Sequence, residues 1–105
     1  MKILDLVLKH KWYDMIDVGD KREEYRLHKP YWCKRLLNQE FAMFSQRYGY
    51  TTCNPKGYTH VRFHRGYTSV TMLWTITGIS LGRGKTEWGA PENKDVFIIK
   101  LGERL

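Results

Sequence analysis

The chain has 105 residues, with 18 Lys+Arg against 11 Asp+Glu and a formal net charge of +7. That length suits one small domain with one modest core and is too short for two. With 42% apolar and 14% aromatic residues it is too hydrophobic for a disordered tail, so a single basic domain over 1–105 is expected.

Ile3–Leu8 is apolar and β-prone and reads as a strand. Lys9–Val18 places Trp12, Met15 and Ile16 at helical spacing, which gives a short amphipathic helix with Trp12 on its apolar side, as core. Gly19 stands where a helix end wants a left-handed residue. Arg22–His28 alternates as a strand, with Glu23, Tyr25 and Leu27 on one face and Glu24, Arg26 and His28 on the other. Pro30 suits the first turn of a second helix, Tyr31–Leu37. Asn38–Thr59 carries weak periodicity and turn chemistry and reads as a long excursion.

His60–Arg65 reads as a strand with Val61 and Phe63 inward, and Gly66 as a turn. The long strand Ser69–Leu81 follows, with Val70, Met72, Trp74 and Ile76 on one face and Trp74 in the core. Val96–Leu101 is apolar on both faces, as a central strand should be. The expectation is an α+β fold, a small curled barrel of about five to six strands with two or three short helices on its rim.

Charge is unevenly spread. Residues 1–40 hold 9 basic and 7 acidic side chains, whereas the 46 residues between Glu40 and Glu87 contain no acid. Arg47, Lys56, Arg62, Arg65, Arg83 and Lys85 all fall in that stretch, which should project a positive field that attracts phosphates. Arg62, His64, Arg65, Arg83 and Lys85 are therefore the expected phosphate contacts. Trp32 and Trp88 sit among charged and loop residues and are the expected stacking rings, with Arg35 beside Trp32.

Several chemistries are excluded or weak. His60 and His64 would stand roughly 13 Å apart on one strand face, too far to share a metal, and His10 and His28 add no ligand spacing. Gly84-Lys85-Thr86 imitates the end of a P-loop, but Ile79 stands where that motif needs glycine. No metal and no cofactor is expected. Cys33 and Cys53 are not spaced as a CxxC pair; two reduced thiols are the expectation, with a disulfide left open. The first apolar run is broken by Asp5 and ended by Lys9, so no targeting segment or membrane association is expected, and the location should be cytoplasmic.

The densest polar group is Gly19-Asp20-Lys21-Arg22-Glu23-Glu24-Tyr25-Arg26. Glu24 and Arg26 share a strand face with Lys21 just before it, where such charges can fix one another and orient a polar ligand. The same pattern also serves to blunt an exposed edge strand. Gly19-x-Lys21-x-x-Glu24-x-Arg26 resembles the GxKxxExR signature of the ASCH domain, a branch of the PUA-like superfamily. The flanks agree: Leu6-Val7-Leu8-Lys9 with Trp12-Tyr13 before, and Lys29-Pro30-Tyr31-Trp32 with Lys34-Arg35-Leu36 after. Glu87-Trp88-Gly89-Ala90-Pro91 and Val96–Glu103 look like small ASCH proteins of bacteria and their phages. The likeness spans nearly the whole chain except Asn38–Thr59.

The resemblance implies a PUA-like β-barrel with a motif-lined cleft and a role in RNA binding, with Lys21, Glu24 and Arg26 around one nucleotide or base edge. It also implies a rival. Some small ASCH proteins are amidohydrolases acting on N4-acetylcytidine through a motif Lys, a Thr three residues later and a more distant Glu. Lys21 matches that Lys, but Glu24 occupies the Thr position, so the nucleophile is missing. In an enzyme, Lys21 and Glu24 would be the catalytic pair, the activity an amidohydrolase's or a ribonuclease's, since ribonuclease activity is also associated with the family. A monomeric RNA-binding module is the first expectation. A phage protein that binds a host factor is a third.

Overall fold

The computed structural model describes residues 1–37 and 54–105. Strand β1 (Ile3–Leu8) buries Leu4, Leu6 and Leu8 in strict alternation. Helix α1 (His10–Asp17) buries Tyr13 and Ile16, one turn apart, against it. Its end is a Schellman motif: the Gly19 amide donates to the Ile16 carbonyl at 3.0 Å and the Asp20 amide to the Met15 carbonyl at 2.9 Å. Gly19 has φ +85°, the left-handed value that motif requires. This turn delivers Lys21 to the start of β2 (Glu23–Leu27).

Helix α2 (Pro30–Leu36) starts on its proline and carries Lys34 and Arg35 in its last turn, where cations favour the helix dipole. Of the excursion expected over Asn38–Thr59, residues 38–53 lie outside the described residues. Strand β3 (His60–Arg65) turns into β4 (Thr71–Arg83), which runs on to β5 (Asp95–Arg104) through a 3-10 turn, Thr86–Trp88.

The sheet order is β1-β3-β4-β5-β2, parallel only between β1 and β3. Strand β5 lies between β4 and β2 and buries Val96, Phe97, Ile98 and Ile99, so the expected central strand is present. Between Trp74 and Gly78, β4 shifts register twice against β5. Such irregularities raise local twist, and here they accompany the curl of the sheet into a mixed five-stranded half-barrel.

One core fills the concave side, from Leu4, Leu6, Val61, Phe63, Trp74, Ile79, Phe97 and Ile99 to Ile16 of α1 and Leu36 of α2. Burying each such side chain is worth about 1.5–3 kcal/mol. A smaller cluster of Tyr25, Ala90, Val96 and Ile98 covers the other side of β2, with Trp88 packed on it.

One expectation is corrected, and the two faces of β2 are settled. Val70 precedes β4 and is exposed rather than facing the core with Met72 and Trp74. Leu27 ends β2 opposite Val96 and is 44% exposed. Glu24 and Arg26 stand opposite Ile99 and Phe97, two residues of the main core, so the polar face of β2 is the inward one. Among the described residues no helix is long and apolar enough to cross a membrane.

Candidate functional site

The half-barrel does not close between its two edge strands, β1 and β2. A cleft of about 750 Å³ occupies that seam. Its walls are β1, the 3-10 turn with Trp88 and Gly89, and Tyr31, Trp32 and Arg35 of α2. Two arginines bridge the seam in place of main-chain pairing. Arg26 Nη2 donates to the Val7 carbonyl at 3.2 Å, and Arg35 Nη2 donates to the Asp5 carbonyl at 2.5 Å. These carbonyls sit two residues apart on β1, so they point the same way, toward the open edge. Satisfying them blunts an edge that would otherwise invite pairing with another chain.

On the floor, Lys21, Glu24 and Arg26 form one chain of charge. Lys21 Nζ lies 3.1 Å from Glu24 Oε1, and Arg26 Nη1 donates to Glu24 Oε2 at 2.8 Å. Lys21 is 1% exposed and Glu24 4%, so the pair is a buried one and the solvated edge-charge reading fails for it. The ammonium also donates to the Trp88 carbonyl and lies 4.7 Å from the Trp12 ring centre and 5.2 Å from that of Tyr25. Burial pulls the Lys21 pKa below its ordinary value, and the Glu24 carboxylate opposes that fall. Glu24 Oε1 accepts the Tyr25 amide as well, at 3.0 Å. Three of its roughly four lone-pair positions are thus taken by protein donors.

Local backbone geometry holds this floor. Gly89 has φ +99°, and a Cβ there would meet the Trp12 ring at 3.0 Å. Only glycine lets the chain turn against the indole and keep the Trp88 carbonyl over Lys21. Tyr25 tethers the same segment, since its hydroxyl accepts the Lys85 amide at 3.1 Å and donates to Glu23 at 2.8 Å. Burial pushes the Tyr25 pKa far up, and the Glu23 carboxylate adds to the rise.

Lys21, Glu24, Arg26, Trp32, Arg35, His64 and Trp88, all singled out from the sequence, line this one cleft. The other expected phosphate contacts do not. Arg62 donates to Asp5 Oδ1 at 2.7 Å, Arg65 to Asp14 Oδ1 at 2.9 Å and Arg83 to Asp95 Oδ1 at 3.1 Å. The stretch without acids is therefore countered across space by carboxylates from β1, α1 and β5. Arg62 and Arg65 hold Asp5 and Asp14 below the ordinary carboxylate pKa. Lys85 stands 4.3 Å over the Trp88 ring, at the cleft's rim.

No family model, curated protein or solved structure matches this chain. The residues and their geometry carry the functional reading.

Sequence reasoning missed Asp5, Trp12, Tyr25, Tyr31 and Tyr67, which also line the cleft. Asp5 had a signal, a lone carboxylate inside an apolar strand. Its Oδ1 binds Arg62 and lies 2.8 Å from His64 Nε2. Trp12, expected in the core, is half-buried at the cleft wall with Lys11 4.6 Å from its ring centre. Trp32 carries Arg26 at 5.1 Å and Arg35 at 5.3 Å from its ring centre. Each indole of the cleft is thus held by at least one cation. Among the described residues no group of His, Cys, Asp and Glu could hold a metal, and Cys33 is a free, half-buried thiol whose pKa burial raises.

Proposed function

We propose that this chain is a small ASCH-like domain on a PUA-like half-barrel that binds RNA, taking one unpaired nucleotide into the cleft between β1 and β2. One observation carries the reading: Lys21, Glu24 and Arg26, the charged residues of the GxKxxExR pattern, meet on the floor of an aromatic-walled cleft. A flipped base needs flat walls and polar groups for its edge, and the indoles with Lys21 and Glu24 supply both. Arginine guanidinium planes are themselves stacking surfaces for bases, and Arg26 and Arg35 present two. The exposed cations at the rim, Lys9, Lys11 and Lys85, serve the phosphates.

Binding is favoured over hydrolysis by two features. No serine, threonine or cysteine lines the cleft among the described residues. Of the carboxylates that line it, Glu24 already holds three donors and Asp5 is engaged by Arg62 and His64.

The test is fluorescence anisotropy with a labelled single-stranded RNA and its duplex, across a salt titration. Single strands should bind, with log affinity falling against log salt by about 0.7 per phosphate contacted, and Lys9→Glu should weaken all sequences alike. Absence of binding at low salt, or binding indifferent to salt, overturns the proposal. Turnover of N4-acetylcytidine by the same protein would favour the hydrolase instead.

A further inference from the structure

The indoles that wall the cleft are engaged by cations, but one aromatic ring at its mouth touches nothing. Tyr67 is 99% exposed and still lines the cleft, from the turn between β3 and β4. That turn is firmly built. The Gly66 amide donates to the Leu8 carbonyl at 2.8 Å, the Arg65 amide to the Val70 carbonyl at 2.9 Å, and the Thr68 hydroxyl to the Arg65 carbonyl at 2.6 Å. The backbone therefore fixes where the side chain springs from, while the ring, packed on nothing, can turn and keeps both faces open to solvent. Tyr31, 60% exposed in the first turn of α2, stands at the same cleft and meets Trp32 edge-on at 4.8 Å.

An open aromatic ring at the mouth of a cleft proposed to take a base is suited to one use. Successive bases of a single strand lie on such rings, whatever their sequence, because every base has a π-face. We propose that Tyr67 is the platform for the nucleotide next to the one in the cleft, and that the site's ligand is a single-stranded oligonucleotide rather than a free nucleotide. This rests on the RNA-binding reading above. The phenol hydroxyl plays no part, since stacking needs the ring alone.

The experiment compares a labelled single-stranded RNA of about nine nucleotides, within the usual span of such sites, with the four nucleoside monophosphates. Wild type should bind the oligonucleotide much more tightly than any monophosphate. Tyr67→Ala should cost roughly 5- to 150-fold in oligonucleotide affinity, the range that loss of one stacked base brings, and cost monophosphate binding far less. Tyr67→Phe should bind as wild type does. Both variants should melt with wild type, because the ring packs on nothing. Wild-type binding of the oligonucleotide with no loss in Tyr67→Ala overturns this inference alone, as does equal affinity for monophosphate and oligonucleotide. If wild type binds neither probe, the RNA-binding reading falls and this inference with it.

Discussion

Glu24→Gln removes the one negative charge between two cations while keeping the side chain's shape. Glutamine can still accept the Tyr25 amide, so the backbone bond survives. What is lost is the counter-charge of Lys21, an ammonium 1% exposed and caged by Trp12, Tyr25 and the Trp88 carbonyl. Removing one partner of a buried pair costs about 3–5 kcal/mol, and the surviving neutral acceptor puts this variant near the lower figure. For a domain this size each kcal/mol lowers the melting temperature by about 4–8 °C, so a fall of roughly 12–24 °C is expected.

The loss also has a pH signature. Burial already places the folded-state pKa of Lys21 below the ordinary 10.5, and losing Glu24 lowers it further. Between the folded value and 10.5 the unfolded chain binds more protons than the folded one, so stability rises with pH across that window. Thermal melts by circular dichroism, from neutral pH to about 10.5, should show the variant regaining part of its deficit as pH climbs. The double variant Lys21→Met, Glu24→Gln should melt above the single one at neutral pH, since no buried ammonium is left unpaired. A Glu24→Gln melt within the roughly 1 kcal/mol typical of surface pairs, with no alkaline recovery, would refute the buried pair.

Ile99→Asp should abolish the native far-ultraviolet spectrum, because an unpaired carboxylate at this fully buried site costs several kcal/mol out of a total of about 5–15; a folded variant would overturn the place of β5. Gly89→Ala must hold φ +99° and press on Trp12, and should lower stability by about 1–3 kcal/mol in denaturant melts. Asp5 has its pKa held below 3.8, chiefly by Arg62, so its stabilising effect is whole above 3.8 and fades as pH falls through the folded value. Acid titration of Asp5→Asn should therefore show a shallower loss of stability than wild type below about pH 4, and an unchanged acid limb would exclude that role.

The strands and both helices were legible because their signals are local. Leu4, Leu6 and Leu8 alternate, Pro30 opens α2 and Gly19 closes α1. The inward face of β2 was not, because alternation separates two faces without saying which one the sheet curls around. The curl comes with irregular β4–β5 pairing, which no pattern in β4 announces. Arg62, Arg65 and Arg83 looked unopposed for a related reason. Their carboxylates lie elsewhere in the sequence, Asp5 57 positions from Arg62, and only strand pairing or the packing of α1 on β3 brings them together. Tyr67 was hidden by its ordinary surroundings, since one tyrosine in a turn carries no pattern.

The strand order also has a consequence for how the molecule comes together. Strands β3, β4 and β5 pair as successive neighbours, so this C-terminal meander can form from short loops. Strands β1 and β2 find partners only across long stretches, as the contact of Arg22 with Gly102, 80 positions away, shows. Closing such loops costs entropy before any contact repays it, which places these pairings late in folding. During synthesis the N-terminal half leaves first and must wait, with its apolar faces uncovered, for strands not yet made. The cleft between β1 and β2 therefore exists only once the whole chain is assembled, and a ligand held there reads out complete folding rather than any part of it.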